Sequence, residues 1–160
     1  MSAAATAAVV SRRSDRSPLR WTFTETIDVV LGPAQSGGSL ALVEHRLCFG
    51  DGTPLYVNDD SAEVCYVLAG RVALLVDGSR VDAGEGDAVW LPPGRAHAIA
   101  CVSDGARILL LTTARGFGSF VRAASLGSTA PGDEDADLDG LLAAAAGSPS
   151  RVGPPPGLVG

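Results

Sequence analysis

From Trp21 to Leu31 apolar side chains recur at odd positions, at Trp21, Phe23, Ile27, Val29 and Leu31. A strand turns successive side chains to opposite faces, so this period predicts a half-buried strand. Gly37-Gly38 breaks the pattern. Ser39 to Leu47 predicts a second strand, which Phe49-Gly50-Asp51-Gly52 turns over. Val64 to Val76 is strand-like and ends at Asp77-Gly78, a pair suited to a tight hairpin whose central residues need positive φ. Arg80 to Asp82 returns, Gly84-Glu85-Gly86 turns the chain again, and Ala88 to Leu91 predicts a further strand. Pro93-Gly94 fits a type II turn. His97 to Val102 and Ala106 to Thr113 follow, with Asp104-Gly105 between them. Short strands at this spacing predict an all-β antiparallel sandwich or barrel.

Beyond Thr113 the period changes. Phe117, Phe120, Val121 and Ala124 fall at helical spacing, and Leu138, Leu141, Leu142 and Ala145 do so again. Asp135 or Asp137 is available as N-cap and Gly147 as terminator. One or two peripheral C-terminal helices are therefore expected outside the barrel. The expected organisation is a disordered N-terminal arm over 1–18, a barrel domain with its C-terminal helices over 19–147, and a flexible Pro/Gly-rich tail over 148–160. No internal repeat is present, so one barrel is expected.

Composition removes several function classes. A length of 160 residues, 46% of them apolar, suits one domain with a real core. All twelve basic residues are arginine, so Schiff-base and lysine general-base mechanisms are excluded. The net charge is −6, and the run Asp133, Glu134, Asp135, Asp137, Asp139 reads as a solvated linker. With no basic stripe, no nucleic-acid partner is expected. No apolar run approaches the roughly 20 residues that span a bilayer, and the N-terminus lacks the pattern of a secretory signal. No membrane partner and a cytoplasmic location are expected. Cys48, Cys65 and Cys101 show no short metal spacing and read as reduced thiols.

Two blocks stand out at the centre of the chain. The first is Gly52-Thr53-Pro54-Leu55-Tyr56-Val57-Asn58, then Glu63, then Gly70. The second is Gly86-Asp87, then Leu91-Pro92-Pro93-Gly94-Arg95-Ala96-His97. Their spacing resembles the two signature blocks of the cupin family. The resemblance extends from about Trp21 to Pro155 and is nearest to small single-barrel cupins of the quercetin-dioxygenase-like group. It implies a cupin (jelly-roll) β-barrel, and a homodimer. It also implies that positions 56, 58, 63 and 97 converge in the barrel mouth, where the family carries three histidines and a glutamate. Glu63 and His97 keep that pattern, whereas Tyr56 and Asn58 replace two histidines.

Those replacements change the expected chemistry. A phenol stays protonated at neutral pH, and an amide oxygen is a weak ligand for a late transition metal. No cofactor is therefore expected; the alternative is Fe, Mn, Ni or Cu held by Asn58, Glu63 and His97. Without a metal, the same residues read as acid–base equipment. His97 shuttles a proton, Glu63 acts as general acid or base, and Tyr56 and Asn58 donate hydrogen bonds to a developing oxyanion. Alternation places Cys65 and Val67 on Glu63's face, and Ile99 and Cys101 on that of His97, as pocket walls. A Cys65–His97 nucleophilic pair is the lesser reading of that thiol. The resemblance to oxalate decarboxylases implies that Arg46 clamps a substrate carboxylate or enolate, with Glu44 beside it. The competing reading is an Arg46–Glu44 pair at the rim, and His45 is read as a packing or dimer-interface residue.

The expected function is a small-molecule enzyme using metal-independent acid–base chemistry, such as cyclisation, isomerisation or dehydration of a polyketide-like substrate. The alternatives are a metal-dependent cupin dioxygenase with atypical ligands and a non-catalytic small-molecule binding protein.

Overall fold

The computed structural model describes residues 7–16, 18–20, 26–32, 35–53, 55–59, 61–112 and 150–152. Apart from one 3-10 turn at Arg13–Asp15, every regular element among them is a strand. The order is β1 (Leu19–Arg20), β2 (Thr26–Leu31), β3 (Ala41–Cys48), β4 (Tyr56–Asn58), β5 (Glu63–Ala69) and β6 (Arg71–Val76). It continues with β7 (Ser79–Gly84), β8 (Ala88–Leu91), β9 (Ala96–Cys101), β10 (Gly105–Thr112) and β11 (Ser150–Val152). The two helices expected near Phe117 and Leu138 lie outside the described residues.

The strands form two antiparallel sheets. One runs β1-β2-β3-β10-β5-β8 and the other β11-β4-β9-β6-β7. Odd residues of β3, β5 and β9 and even residues of β6 and β10 point inward, so the core fills with Val43, Leu47, Cys65, Val67, Val72, Leu74, Ile99, Cys101, Ile108 and Leu110. The period of two read from the sequence is the period of burial.

Val64 to Val76 is not one strand. The chain leaves the first sheet at Ala69 and enters the second at Arg71, with Gly70 between them at φ 76°. A Cβ at Gly70 would run into the carbonyl oxygen of Gly105, so the change of sheet needs a residue without a side chain. The hairpin at Asp77-Gly78 has both residues at positive φ, 49° and 79°, as its sequence predicts.

The loop after β3 is stitched onto β9. Thr53 donates its N–H to Ile99 O at 2.8 Å, and Ile99 returns its own N–H to Thr53 Oγ1 at 2.9 Å. Gly52 bridges to Ala100. There too a Cβ would collide, with the carbonyl oxygen of Ile99.

Near the N-terminus, Arg16 Nε reaches both oxygens of Asp28 on β2, at 3.1 and 3.0 Å, and its Nη1 donates to Ser11 O. Near the C-terminus, Ser150, Arg151 and Val152 of β11 pair with Asn58, Val57 and Tyr56 of β4.

Candidate active site

Three short stretches bring four polar side chains together inside the barrel. On β4, Tyr56 and Asn58 share the inward face, separated by the outward Val57. Glu63 opens β5, and His97 stands on β9 as the cross-strand partner of Tyr56. The four are 3%, 2%, 1% and 1% exposed, respectively. Apolar strands hold them out of water, which strengthens every electrostatic contact among them.

Glu63 is the hub. Tyr56 donates its hydroxyl to Glu63 Oε2 at 2.8 Å, and Asn58 donates Nδ2–H to Oε1 at 3.2 Å. His97 Nε2 faces the same Oε2 at 3.0 Å. Its other nitrogen, Nδ1, lies 3.0 Å from the carbonyl oxygen of Arg95. A carbonyl only accepts, so Nδ1 carries a hydrogen. The edge between Nε2 and Oε2 then holds one more proton. It resides on the imidazole as part of an ion pair, or on the carboxyl as a neutral acid, and the count is the same. Tyr56 and His97 also meet ring to ring, with centroids 4.3 Å apart and planes at 62°.

The amide of Asn58 is oriented by this hub. Turning its oxygen toward Glu63 would set two acceptors against each other. With Nδ2 spent on Glu63, Asn58 Oδ1 has no hydrogen-bond partner among the described residues. This corrects the reading of Tyr56 and Asn58 as donors to a substrate oxyanion. Both donors are given to Glu63.

The walls follow the expected alternation. Cys65, Val67, Ile99 and Cys101 are all fully buried on the inward faces. Burial, with the adjacent Glu63 charge adding to it, pushes the Cys65 thiol up to about 12. Burial thus works against the thiolate that a Cys65–His97 nucleophilic pair needs.

Arg46 and Glu44 are not in the barrel. They sit on the outer face of β3, where Arg46 Nε and Arg107 Nε each donate to Glu44 Oε1, at 3.0 and 3.1 Å. His45 is the residue that turns inward, and it is buried. The outer-face pair is the competing sequence reading. Burial alone would raise the Glu44 carboxyl, but the hydrogen bonds and positive charges of Arg107 and Arg46 outweigh it and leave the group below its ordinary range.

Sequence reasoning passed over two supports of the site. Arg95 acts through its backbone carbonyl, which residue type does not signal. Ser61 and Thr112 are buried and hydrogen-bonded to each other, and Thr112 is the cross-strand partner of Glu63.

The family described as "Cupin domain" matches residues 47–113, a span that holds all four side chains. The fold is a cupin jelly roll. No curated protein matches the chain. Solved structures similar to it include a predicted oxalate decarboxylase from Thermotoga maritima, with a TM-score of 0.62 and 18% identity over 66% of this chain and 99% of that one. KdgF from Halomonas sp. gives 0.61 and 14% over 68% and 96%. The polyketide cyclase RemF from Streptomyces resistomycificus gives 0.54 and 19% over 63% and 75%. These likenesses are of fold.

The cupin resemblance implies a metal at these positions, and the donor set does not fit one. Tyr56 donates its hydroxyl hydrogen bond to Glu63, Asn58 presents nitrogen rather than oxygen to Glu63, and both Glu63 oxygens already accept hydrogen bonds. Among the described residues no three His, Cys, Asp or Glu side chains group as a ligand set. Two ligands of the right type remain, fewer than a late transition metal needs.

Proposed function

We propose that this cupin is a small-molecule enzyme whose acid–base couple is Glu63 and His97, working without a metal. The observation that carries the reading is the 3.0 Å contact between His97 Nε2 and Glu63 Oε2, with the far side of the imidazole 3.0 Å from Arg95 O. An imidazole anchored in this way has one nitrogen left for chemistry, and that nitrogen shares its proton with a carboxylate. Tyr56 and Asn58 position Glu63 and stabilise its charge. Such a couple serves reactions that remove a proton at one atom and return it at another, which are cyclisation, isomerisation and dehydration. The apolar walls at Val67 and Ile99 suit a largely hydrocarbon or aromatic framework, and the fold is shared with a polyketide cyclase. A second copy of the chain covering the exposed Tyr66, Trp90 and Leu111 would complete the proposed homodimer.

The test begins with mass spectrometry of small molecules that co-purify with the barrel, which identifies a substrate. Glu63→Gln and His97→Gln should then lower kcat by about 10²- to 10⁴-fold. Undiminished turnover in both variants overturns the assignment. Elemental analysis of protein purified without chelator bears on the metal-free clause, which a stoichiometric transition metal would overturn.

The near-complete burial of all four side chains favours a second reading, a non-catalytic binding barrel. Recovery of the co-purified molecule unchanged after long incubation would decide for it.

A further inference from the structure

Asn58 Oδ1 is a buried acceptor with no hydrogen-bond partner among the described residues. Tyr56 Oη and one N–H of Asn58 Nδ2 donate to Glu63, and His97 Nδ1 donates to Arg95 O. The backbone carbonyl of Asn58 is also engaged, by Gly94 N–H at 2.9 Å. Leaving an amide oxygen dry and unpaired is costly, and native proteins seldom tolerate it without a reason. The orientation cannot relax by turning the amide over, because the carboxylate of Glu63 holds the nitrogen side.

We propose that Asn58 Oδ1 is the specificity contact of the site, taking a hydrogen bond from a hydroxyl or N–H of the ligand. This rests on reading the cluster as a ligand site. It narrows the ligand to molecules that present a donor at Asn58, the residue that holds Glu63 Oε1. Carboxylates, phosphates, ethers and carbonyl oxygens are disfavoured at that spot, since each would place an acceptor against Oδ1 and near the Glu63 charge. For a polyketide-like framework the group at Asn58 is therefore an enol or phenol hydroxyl in its protonated form, and the proton that moves belongs to a different atom of the ligand.

The chain offers a direct probe, because Asn58 is its only asparagine and Gln35 its only glutamine. The Asn58 carboxamide thus gives its own resonances in protein labelled at the asparagine side chain. Phenol and anisole serve as a matched pair, alike in shape but differing in the donor hydrogen. Titrated into the full-length protein, phenol should shift the Asn58 carboxamide signals and bind about 3- to 10-fold more tightly than anisole. In Asn58→Leu, checked for folding by its thermal midpoint, the preference should fall to parity or favour anisole. Equal binding of the two probes to the native protein, with Tyr56 and His97 signals moving and the carboxamide still, overturns the Asn58 contact and leaves the acid–base site standing. Absence of any response at Tyr56, Asn58 and His97 to both probes overturns the ligand site, and this contact with it.

Discussion

Tyr56 and His97 face each other across β4 and β9 as backbone partners, and their side chains converge on one oxygen of Glu63. The hydroxyl and the ring of Tyr56 therefore have separable roles. Tyr56→Phe keeps the ring contact and removes the buried hydrogen bond to Glu63, costing about 1–3 kcal/mol. Tyr56→Ala also opens a cavity and should cost about 3–5 kcal/mol. Urea unfolding of the two variants measures the difference. Equal losses would show that the ring contributes nothing beyond its hydroxyl.

The carbonyl of Arg95 fixes the His97 tautomer. Long-range ¹H–¹⁵N correlation spectra should show the hydrogen of the neutral ring on Nδ1, with Nε2 the nitrogen that responds to Glu63→Gln. With only two histidines in the chain, His45 and His97, assignment is direct. An unprotonated Nδ1 in His97 would contradict the hydrogen-bond pattern.

The misfit to a metal is a statement about two side chains and is reversible. Tyr56→His with Asn58→His places three imidazoles and a carboxylate at the four positions, a set suited to Fe, Mn, Ni or Cu. The double variant should retain close to one equivalent of a transition metal by elemental analysis after purification without chelator, and the parent far less. A metal-free double variant that is folded would show that the backbone, not the residue types, prevents binding.

Glu44 ties stability to pH. Its folded-state carboxyl lies below the ordinary glutamate value, so its contribution is present above about pH 4 and is lost as pH falls through the depressed value. Glu44→Gln should flatten the fall in thermal midpoint below pH 4 relative to the parent. Parallel midpoint curves for the two proteins would assign the acid sensitivity elsewhere.

The cysteines should differ sharply in reactivity. Cys48 is exposed, whereas Cys65 and Cys101 are buried and the Cys65 thiol is pushed up to about 12. Iodoacetamide at pH 8 should add one group to the native protein and three after denaturation, counted by intact mass. A native adduct at Cys65 would refute its protected state.

The strands were legible in the sequence because alternation and turn residues are local signals. Ala88 to Leu91 and the Asp77-Gly78 hairpin fall where the sequence places them. The change of sheet at Gly70 was not legible, since an apolar run looks the same whether it stays in one sheet or crosses to another. That residues 56, 58, 63 and 97 converge was legible through the resemblance to the cupin blocks, but their hydrogen bonds were not. Which way Asn58 turns depends on Glu63, and nothing in either residue alone says so. For Arg46, alternation correctly set it opposite His45, and the resemblance to oxalate decarboxylases pointed to the wrong face. The apolar Val43 and Leu47, in step with His45, were the better guide to the interior. The Arg16–Asp28 clasp joins residues twelve apart through a fold that periodicity does not describe.

The loop at Gly52 supplies no atom to the chemistry, yet it governs where the imidazole stands. Its backbone lies so close beneath Ile99 that one added methyl group would displace the strand that carries His97. Positions 56 and 58, by contrast, accept a phenol and an amide where histidines would fit, and the barrel still closes around them. The least replaceable residues near this site are those with no side chain at all.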